Sequence, residues 1–359
     1  MPLDIDRLRQ FAMRRQFPAP TTLGRAIGRL GFVQADPIRA PARAQDLTLR
    51  HRVTGYRAGD LERRYARLGI EEDVFVNYGF VTRDLHALLH PRTPRTKWSA
   101  AEQKRAQQIL EFVQARGVVH PRDVDAHFVH GKALNWFGGQ SNITTQVLDA
   151  MHYRGLVRVA RREGGTRLYM ARVQGPAPED SVAAMDTLVD VIVAKYAPLT
   201  GGMLSGLVQR LRHGAPQWTT ARAAAVARAR ERLPHAKVDG VDWFWPDGEA
   251  LPVQRIIPRD AVRLLAPFDP FVWDRARFEL FNGWAYRFEA YTPAPKRIRG
   301  YYSLPLAWRD RVIGWANLSV RDGLLVPELG FVAGGAPNDP AFRTALEAEL
   351  AQFSGFMGL

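Results

Sequence analysis

The stretch from residue 99 to residue 172 constrains the fold of this chain most, because its predicted helices and strands follow one another in a recognisable order. Three stretches have the helical spacing of apolar residues, and they begin at Ser99, at His120 and at Ser141 or Asn142. Two strands then alternate between apolar and polar residues around the turn Glu163-Gly164-Gly165. Three helices followed by a two-stranded wing predict a winged helix-turn-helix.

The predicted wing is strongly basic. Residues 154–172 contain one acid, Glu163, and six arginines, at positions 154, 158, 161, 162, 167 and 172. Guanidinium groups form bidentate contacts with phosphate oxygens, so a wing of this charge suits the backbone of DNA. We predict DNA contacts for four of these residues, Arg158, Arg161, Arg162 and Arg167. The alternative is a charged edge that only prevents strands of different molecules from pairing.

The whole chain shares this charge. Among its 359 residues, 50 are Lys or Arg and 36 are Asp or Glu, which gives a formal charge of +14 and a pI of about 10.4. This balance is typical of a protein that binds a polyanion, and nucleic acid is the expected partner. A generic basic surface, from a composition rich in arginine, is the alternative.

Several classes of protein are disfavoured by composition. The absence of cysteine excludes disulfides, thiolate nucleophiles and thiolate metal sites. No apolar stretch is long enough to span a bilayer, and the N-terminal residues MPLDIDRLRQ lack the apolar core of a signal peptide. We therefore expect no membrane association and a cytoplasmic, nucleoid-associated location of the bacterial type.

Four consecutive segments are predicted. Residues 1–95 form an N-terminal winged-helix segment, 96–175 the second winged helix, 176–255 a weaker winged-helix-like segment, and 256–359 a mainly β, barrel-like domain. Within the third segment, residues 236–245 are predicted as one strand, and the last segment ends in a helix from Pro340 to Phe353. The predicted fold class is α+β, with three tandem winged helix-turn-helix repeats. The tryptophans of the last segment, including Trp273, are predicted to be core residues more often than platforms for stacking bases.

Gln34, Ala35 and Asp36 follow a predicted helix that starts at Thr21 or Thr22 and ends at Gly31. Alternate side chains of an extended stretch share a face, so Gln34 and Asp36 point the same way. An amide that can orient a water molecule and a carboxylate that can accept a proton then lie together. The alternative is structural, with Asp36 capping the turn before Pro37 and Gln34 satisfying backbone groups.

These residues carry a resemblance to a family. The chain resembles the YcaQ/AlkZ-type winged-helix DNA glycosylases, which remove alkylated bases and unhook interstrand crosslinks. The similar stretches are LGFVQADPIRAPARAQDL at 30–47, the central winged helix, and residues 264–306, which begin LLAPFDPFVWDRARFELFNGW. The resemblance implies three winged helices in a C shape with a C-terminal β-barrel, and it assigns the catalytic roles of the Gln-x-Asp motif to Gln34 and Asp36.

One motif departs from the family pattern. Where the YcaQ-like branch has Trp-x-His followed by Leu-Pro, this chain has residues 75–83, FVNYGFVTR, with Tyr78 and Phe80 nearest the expected Trp and His. Asn77, Tyr78 and Arg83 are predicted to line an altered pocket. A buried loop anchor is the alternative for Tyr78.

The function expected from this resemblance is that of a monofunctional DNA glycosylase. It hydrolyses the N-glycosidic bond of N7- or N3-alkylated purines and unhooks crosslinks, acting as a monomer on double-stranded DNA. A β-lyase step needs an amine, and the lysine nearest the triplet in sequence is Lys97. Further DNA contacts are predicted for Arg39, Arg43 and Arg50. The alternative is a winged-helix DNA-binding protein without catalysis, either a regulator or a damage-recognition module.

No cofactor is expected. His86 and His90 have the i, i+4 spacing of a helical zinc pair, but they lack the adjacent Glu and no third ligand is evident in the sequence.

Overall fold

The computed structural model describes residues 3–94, 96–128, 131–134, 140–251 and 259–359. The α-helices of these ranges are α1 (Ile5–Gln16), α2 (Leu23–Leu30), α3 (Ala44–Leu49), α4 (Asp60–Arg64), α5 (Arg83–Leu89), α6 (Ala100–Arg116), α7 (Pro121–Phe128), α8 (Ile143–Tyr153), α9 (Ser181–Tyr196), α10 (Gly201–Gly214), α11 (Arg222–Arg232), α12 (Arg275–Asn282) and α13 (Pro340–Met357). None of these helices combines the length and the hydropathy that crossing a membrane requires.

The strands of the same ranges are short, apart from two near the C-terminus. They are β1 (Phe32–Gln34), β2 (Ile70–Val74), β3 (Tyr78–Thr82), β4 (Val118–Val119), β5 (Lys132–Leu134), β6 (Gln140–Asn142), β7 (Val157–Glu163), β8 (Thr166–Ala171), β9 (Leu199–Thr200), β10 (His235–Val238), β11 (Val241–Phe244), β12 (Val262–Leu264), β13 (Leu304–Trp308), β14 (Arg311–Arg321) and β15 (Leu324–Phe331). The mixture of helices with small sheets confirms the α+β class.

The chain divides into two compact units. Unit 1 comprises the described parts of Met1–Leu61, Val189–Leu207 and Val226–Leu359, and unit 2 comprises those of Glu62–Leu188 and Val208–Ala225. Two of the predicted segment boundaries, near residues 95 and 255, fall at or within residues outside the described ranges. The division into four segments and the three winged-helix repeats therefore stay predictions.

Unit 1 is organised around one apolar core that joins distant parts of the chain. Leu8 of α1, Trp243 of β11, Phe278 and Phe281 of α12 and Val312 of β14 are all buried in it. Trp243 stacks on Phe281 with the ring centroids 5.2 Å apart. Burial of one such aromatic side chain contributes roughly 2–3 kcal/mol, so this core couples the N-terminal helix to the C-terminal sheet.

Two features of unit 1 differ from the sequence prediction. Residues 236–245 are a hairpin of β10 and β11 that turns at Asp239-Gly240, and not a single strand. An Asp-Gly pair between alternating residues is a known hairpin signal, and here it outweighs the pattern of a single strand. The C-terminal strands form an open sheet in the order β12-β13-β14-β15, so within the described residues there is no closed barrel. Four strands are too few to close around a packed interior.

In unit 2, the region from α6 to β8 closely follows the predicted local structure. Ser99 and Glu102 form a capping box at the start of α6, and α8 begins after Asn142. Strands β7 and β8 pair antiparallel on either side of the predicted turn, and β4 adds to β8 to give the order β4-β8-β7. The hairpin predicted from polarity alone is thus confirmed.

Strand β2 of unit 2 carries three consecutive acids, Glu71, Glu72 and Asp73, and all three are buried. Arginines of the same unit neutralise each of them. Arg158 contacts Glu71 at 2.6 Å, Arg162 contacts Glu72 at 2.6 Å, and Arg92 contacts Asp73 at 2.6 Å. An unpaired carboxylate at any of these positions would be strongly destabilising, so these ion pairs are required for β2 to be buried.

Arg162 and Arg161 are neighbours that should differ sharply in their effect on stability. Arg162 donates to both oxygens of Glu72, whose side chain is 0% exposed, whereas Arg161 is 50% exposed and pairs with the exposed Glu163. We expect Arg162→Ala to lower the free energy of unfolding by about 3 kcal/mol, because it leaves a buried charge without its partner. Arg161→Ala should change it by less than about 1 kcal/mol.

Urea denaturation of the two variants beside the parent protein measures this difference. The double variant Arg162→Met with Glu72→Gln serves as a control and should recover most of the loss, because no unpaired charge remains. Equal stability of Arg161→Ala and Arg162→Ala would contradict the structural role of the buried pair.

Candidate active site

The Gln-Ala-Asp triplet lies in unit 1, where the chain leaves α2. Gly31 ends this helix with φ of 63°, and a Cβ atom at this position would lie 2.7 Å from Val191 of α9. Both the backbone conformation and the close approach therefore require glycine. The chain then forms β1, whose last residue is Gln34, and Asp36 follows in a loop.

Asp36 takes part in the turn that the structural alternative predicted. Its Oδ1 atom accepts a hydrogen bond from the backbone N–H of Ile38 at 2.9 Å. The backbone N–H of Asp36 itself donates to Oε1 of Gln45 in α3, at 3.4 Å. Oδ2 accepts no hydrogen bond from the residues that the structure describes, so one carboxylate oxygen is fixed by the turn and the other is available for chemistry.

Burial raises the pKa of the Asp36 carboxyl, and the hydrogen bond from Ile38 opposes this shift only in part. The carboxyl group is half-buried, so its charged form has lost some hydration while solvent still reaches it. A carboxylate in this condition is a stronger base than one in water.

Gln34 is oriented by a residue far away in sequence. The indole Nε1–H of Trp273 donates to Oε1 of Gln34 at 2.9 Å. This contact determines which end of the amide is oxygen, and so directs the NH₂ group away from Trp273. Trp273 was predicted as a core residue, and its role in holding Gln34 was not found from the sequence.

The loop that carries Trp273 is itself held by buried arginines. Arg52 forms two hydrogen bonds with the buried carboxylate of Asp269, at 2.7 and 3.1 Å, and Asp269 also accepts from the backbone N–H of Phe271. Arg277 is fully buried and donates to the carbonyl groups of Pro198 and Phe271 at 3.1 and 3.2 Å. The orientation of Gln34 therefore depends on ion pairs and hydrogen bonds outside the triplet.

Two tyrosines of the C-terminal stretch, Tyr291 and Tyr302, interact electrostatically with the carboxylate of Asp36. Burial first, and then the charge of Asp36, raise the pKa values of Tyr291 and Tyr302. Electrostatic coupling of this kind requires that the groups lie near one another. No local sequence pattern singles out these tyrosines, and only the resemblance of residues 264–306 to the family points to this part of the chain.

An amine also lies close to the triplet in space. Nζ of Lys195, at the end of α9, donates to the backbone carbonyl of Phe32 in β1, two residues before Gln34. Burial and the nearby Arg52 lower the pKa of Lys195 to about 7. Along the sequence the lysine nearest the triplet is Lys97, whereas the fold of unit 1 brings Lys195 to β1, two residues before Gln34.

The arginines predicted to contact DNA near the triplet have different surroundings. Arg39 is exposed, and Arg43 is half-buried. The Arg50 side chain is only 4% exposed, pairs with the buried Glu349 and stacks on Phe353 at 4.4 Å. Its placement supports a structural role within unit 1, whereas Arg39 is accessible to a phosphate.

The remaining predicted site residues lie in unit 2. Of the four wing arginines, Arg158 and Arg162 hold the buried acids of β2, Arg167 contacts Asp149 at 2.8 Å, and Arg161 contacts Glu163 on the same strand. The hydroxyl of Tyr78 donates to Glu72 at 2.8 Å, as a loop anchor would. The amide oxygen of Asn77 accepts from Arg210, while Arg83 is mostly exposed.

His86 and His90 acquire a third neighbour that the sequence did not indicate. Their Nε2 atoms lie 2.9 and 2.7 Å from Oδ2 of Asp73, in the only group of potential metal ligands found within the described residues. Arg92 binds the other oxygen of the same carboxylate, at 2.6 Å. Because a guanidinium already supplies the cation that Asp73 needs, the arrangement is a buried charge cluster around Asp73.

Comparisons with known proteins identify the family of this chain. The family model described as "DNA glycosylase AlkZ-like" matches residues 27–356, which include the triplet and all the residues described around it. The structure is similar to that of Streptomyces sahachiroi DNA glycosylase AlkZ, with a TM-score of 0.62 over 100% of this chain and 98% of that one, at 17% sequence identity. The chain therefore belongs to the AlkZ-like DNA glycosylase family.

Proposed function

We propose that this protein is a monofunctional DNA glycosylase that hydrolyses the N-glycosidic bond of N7- or N3-alkylated purines in double-stranded DNA. The observation that carries the proposal is the half-buried Asp36 carboxylate, one oxygen of which accepts no hydrogen bond from the described residues, two positions after Gln34, whose amide is oriented by Trp273. Interstrand crosslinks through the same purine positions present the same bond, and we include their unhooking in the proposal.

Cleavage of the N-glycosidic bond of an alkylated purine needs few catalytic groups from the protein. An alkylated purine is cationic and already a good leaving group, so its bond to C1′ breaks towards a sugar cation. The negative charge of Asp36 stabilises that cation, and its free oxygen accepts a proton from the water that attacks C1′. The amide of Gln34, held by Trp273, orients this water. The arrangement resembles glycoside hydrolysis with one carboxylate instead of two.

Lys195 is the amine that a strand-cleaving mechanism would use, since its lowered pKa favours the nucleophilic form. Its side chain is 3% exposed, however, and its ammonium group is directed at the carbonyl of Phe32. This burial supports hydrolysis by water, with an intact abasic strand as the product.

We further propose that the protein acts as a monomer and in association with the nucleoid. The net charge of +14 supports binding to the DNA backbone.

A second candidate function is DNA binding without catalysis. One observation favours it: Phe80, near the position of the family's histidine, is a fully buried core residue.

Replacement of Asp36 is the decisive test of catalysis. Asp36→Asn keeps the shape of the side chain but removes its charge and basicity, so single-turnover base release should fall by roughly 10²- to 10⁴-fold. Gln34→Ala should slow the same step by a smaller factor, and the double variant should lose less than the product of the two losses because both residues act on one water.

Release of free base from DNA that contains N7-methylguanine, and from a crosslinked duplex, measures these rates beside the affinity for the same DNA. The Asp36→Asn variant should bind as the parent does. If Asp36→Asn excises the base at the parental rate, the triplet has only a structural role in the turn. If the parent protein excises nothing, the second candidate function is favoured.

The raised pKa of Asp36 predicts the acid side of the pH profile. Asp36 must be ionised to act as base, so single-turnover base release should decline as the pH falls through its pKa, which lies above the ordinary value of about 3.9 for aspartate. Rates measured on N7-methylguanine DNA from pH 4 to pH 8 should show this decline at a higher pH than an exposed aspartate would give. A rate that stays constant down to about pH 4 would exclude Asp36 as the base.

The salt dependence of DNA binding separates accessible arginines from structural ones. Arg39→Ala and Arg161→Ala should each reduce the slope of log K against log salt by about 0.9 if each residue neutralises one phosphate. Arg309→Ala is the control, because this exposed arginine is held by two carboxylates, Asp260 and Asp339, whereas Arg161 is paired with the single exposed acid Glu163 and has only that ion pair to exchange for a phosphate. Dissociation constants over a salt series give the slopes, and an unchanged slope in both test variants would refute these contacts.

A further inference from the structure

A cavity of about 470 Å³ in unit 1, beside the C-terminal end of α1, has a wall that is rich in arginine. The charged residues that line it are Arg14, Arg259, Arg263, Arg309 and one acid, Asp310. Like charges that are gathered around one cavity repel each other, so their arrangement favours an anion between them.

The acids near this cavity are already bound to particular arginines. Asp310 lies 3.1 Å from Arg9, whose side chain is buried. Asp260 and Asp339 lie 2.6 and 3.2 Å from Arg309. The protein itself therefore neutralises Arg309, although this residue lines the cavity.

Arg263, in the middle of β12, has no such partner. Its neighbours Val262 and Leu264 are buried, so the alternation of the strand directs the Arg263 side chain to the opposite face. The half-buried guanidinium packs over the ring of Phe17, 5.2 Å from its centroid. It forms no hydrogen bond or ion pair with the residues that the structure describes, and none of its nitrogen atoms is buried without access to solvent. Its N–H groups are therefore open to the cavity that Arg263 lines.

The charge of Arg263 is held in unfavourable surroundings. Burial lowers the pKa of this guanidinium, and the nearby Arg259 and Arg52 lower it further. Glu349 attracts the same charge, but its carboxylate is already bound by Arg50. Because arginine stays protonated in proteins, a partly desolvated positive charge remains here that an anion from outside would stabilise.

We propose that Arg263, together with Arg14 and Arg259, binds a phosphate group of the DNA backbone. The planar guanidinium presents parallel N–H donors that match two phosphate oxygens, and its packing on Phe17 holds this plane. Arg14 and Arg259 are exposed, so a polyanion that lies across the cavity meets three positive charges at once. The inference rests on the proposed action on DNA and adds a contact outside the wing and outside the loop that follows Asp36.

Binding of an undamaged duplex tests this contact without any catalysis. Arg263→Gln removes the charge, so it should weaken binding by about 10-fold and reduce the slope of log K against log salt by about 0.9. Arg263→Lys keeps the charge, and its slope should stay near the parental value. Arg309→Gln is the matched control: Arg309 lines the same cavity but is held by Asp260 and Asp339, so its removal should change neither quantity.

Urea denaturation of the same variants without DNA separates this contact from a structural role. Removal of a positive charge that has no acidic partner relieves its repulsion with Arg259 and Arg52, so Arg263→Gln should be at least as stable as the parent protein. A structural arginine would behave in the opposite way. A marked loss of stability in Arg263→Gln would contradict the proposed contact.

Single-turnover excision separates failure of this inference from failure of the proposed function. Arg263→Gln should raise the half-saturating DNA concentration by about 10-fold and leave the limiting rate unchanged, because a backbone contact is made equally before and in the transition state. If the parent protein excises nothing while Arg263→Gln still lowers the salt slope, the glycosylase function is refuted and the phosphate contact stands.

Unchanged affinity and slope in Arg263→Gln would overturn the contact even if excision by Asp36 is confirmed. Inorganic phosphate distinguishes the remaining source of such an anion. If it raises the Tm of the parent protein and not that of Arg263→Gln, while both bind DNA equally, the cavity takes a free anion and its assignment to DNA is wrong.

Discussion

The buried ion pair between Arg52 and Asp269 is the interaction on which the arrangement around the triplet depends. Arg52 lies just after α3, and Asp269 lies in the loop that precedes α12, so the pair joins two parts of unit 1 that are 217 residues apart. Asp269 shapes the loop that carries Trp273, and Trp273 orients Gln34. Loss of either charge would leave the other buried without a partner and would release this loop.

Arginine serves two purposes in this protein. Some arginines are buried and satisfy acids or carbonyl groups, as Arg92, Arg162 and Arg277 do. Others, such as Arg39 and Arg161, remain exposed and add to the positive charge available to DNA. The number of arginines is therefore a poor measure of the number of DNA contacts, because the planar guanidinium is also well suited to pairing with buried acids.

Each group of the proposed active site draws its properties from its surroundings. A carboxylate in water would be a weak base, but partial burial raises the pKa of Asp36, and the turn at Ile38 leaves one oxygen without a hydrogen bond. In the proposed mechanism one carboxylate would suffice, because hydrolysis of a bond with a good leaving group needs only this modest set of groups.

Local structure and family membership were determined by the sequence itself. The caps at Thr22 and Ser99, the glycine at position 31 and the wing hairpin were all predicted correctly, because each depends on residues close together in the chain. The long motif at 264–306 likewise indicated the family. The Asp239-Gly240 hairpin also depends on local residues, and the prediction of a single strand over residues 236–245 was wrong.

Only the tertiary structure decided which distant residues meet. The contact of Trp273 with Gln34, the approach of Lys195 to Phe32, and the pairing of wing arginines with the acids of β2 join residues between 87 and 239 positions apart. Helical or strand periodicity shows that a side chain is on a buried face but not what it meets there. Partners of buried charges are chosen by packing, and packing is a property of the folded chain as a whole.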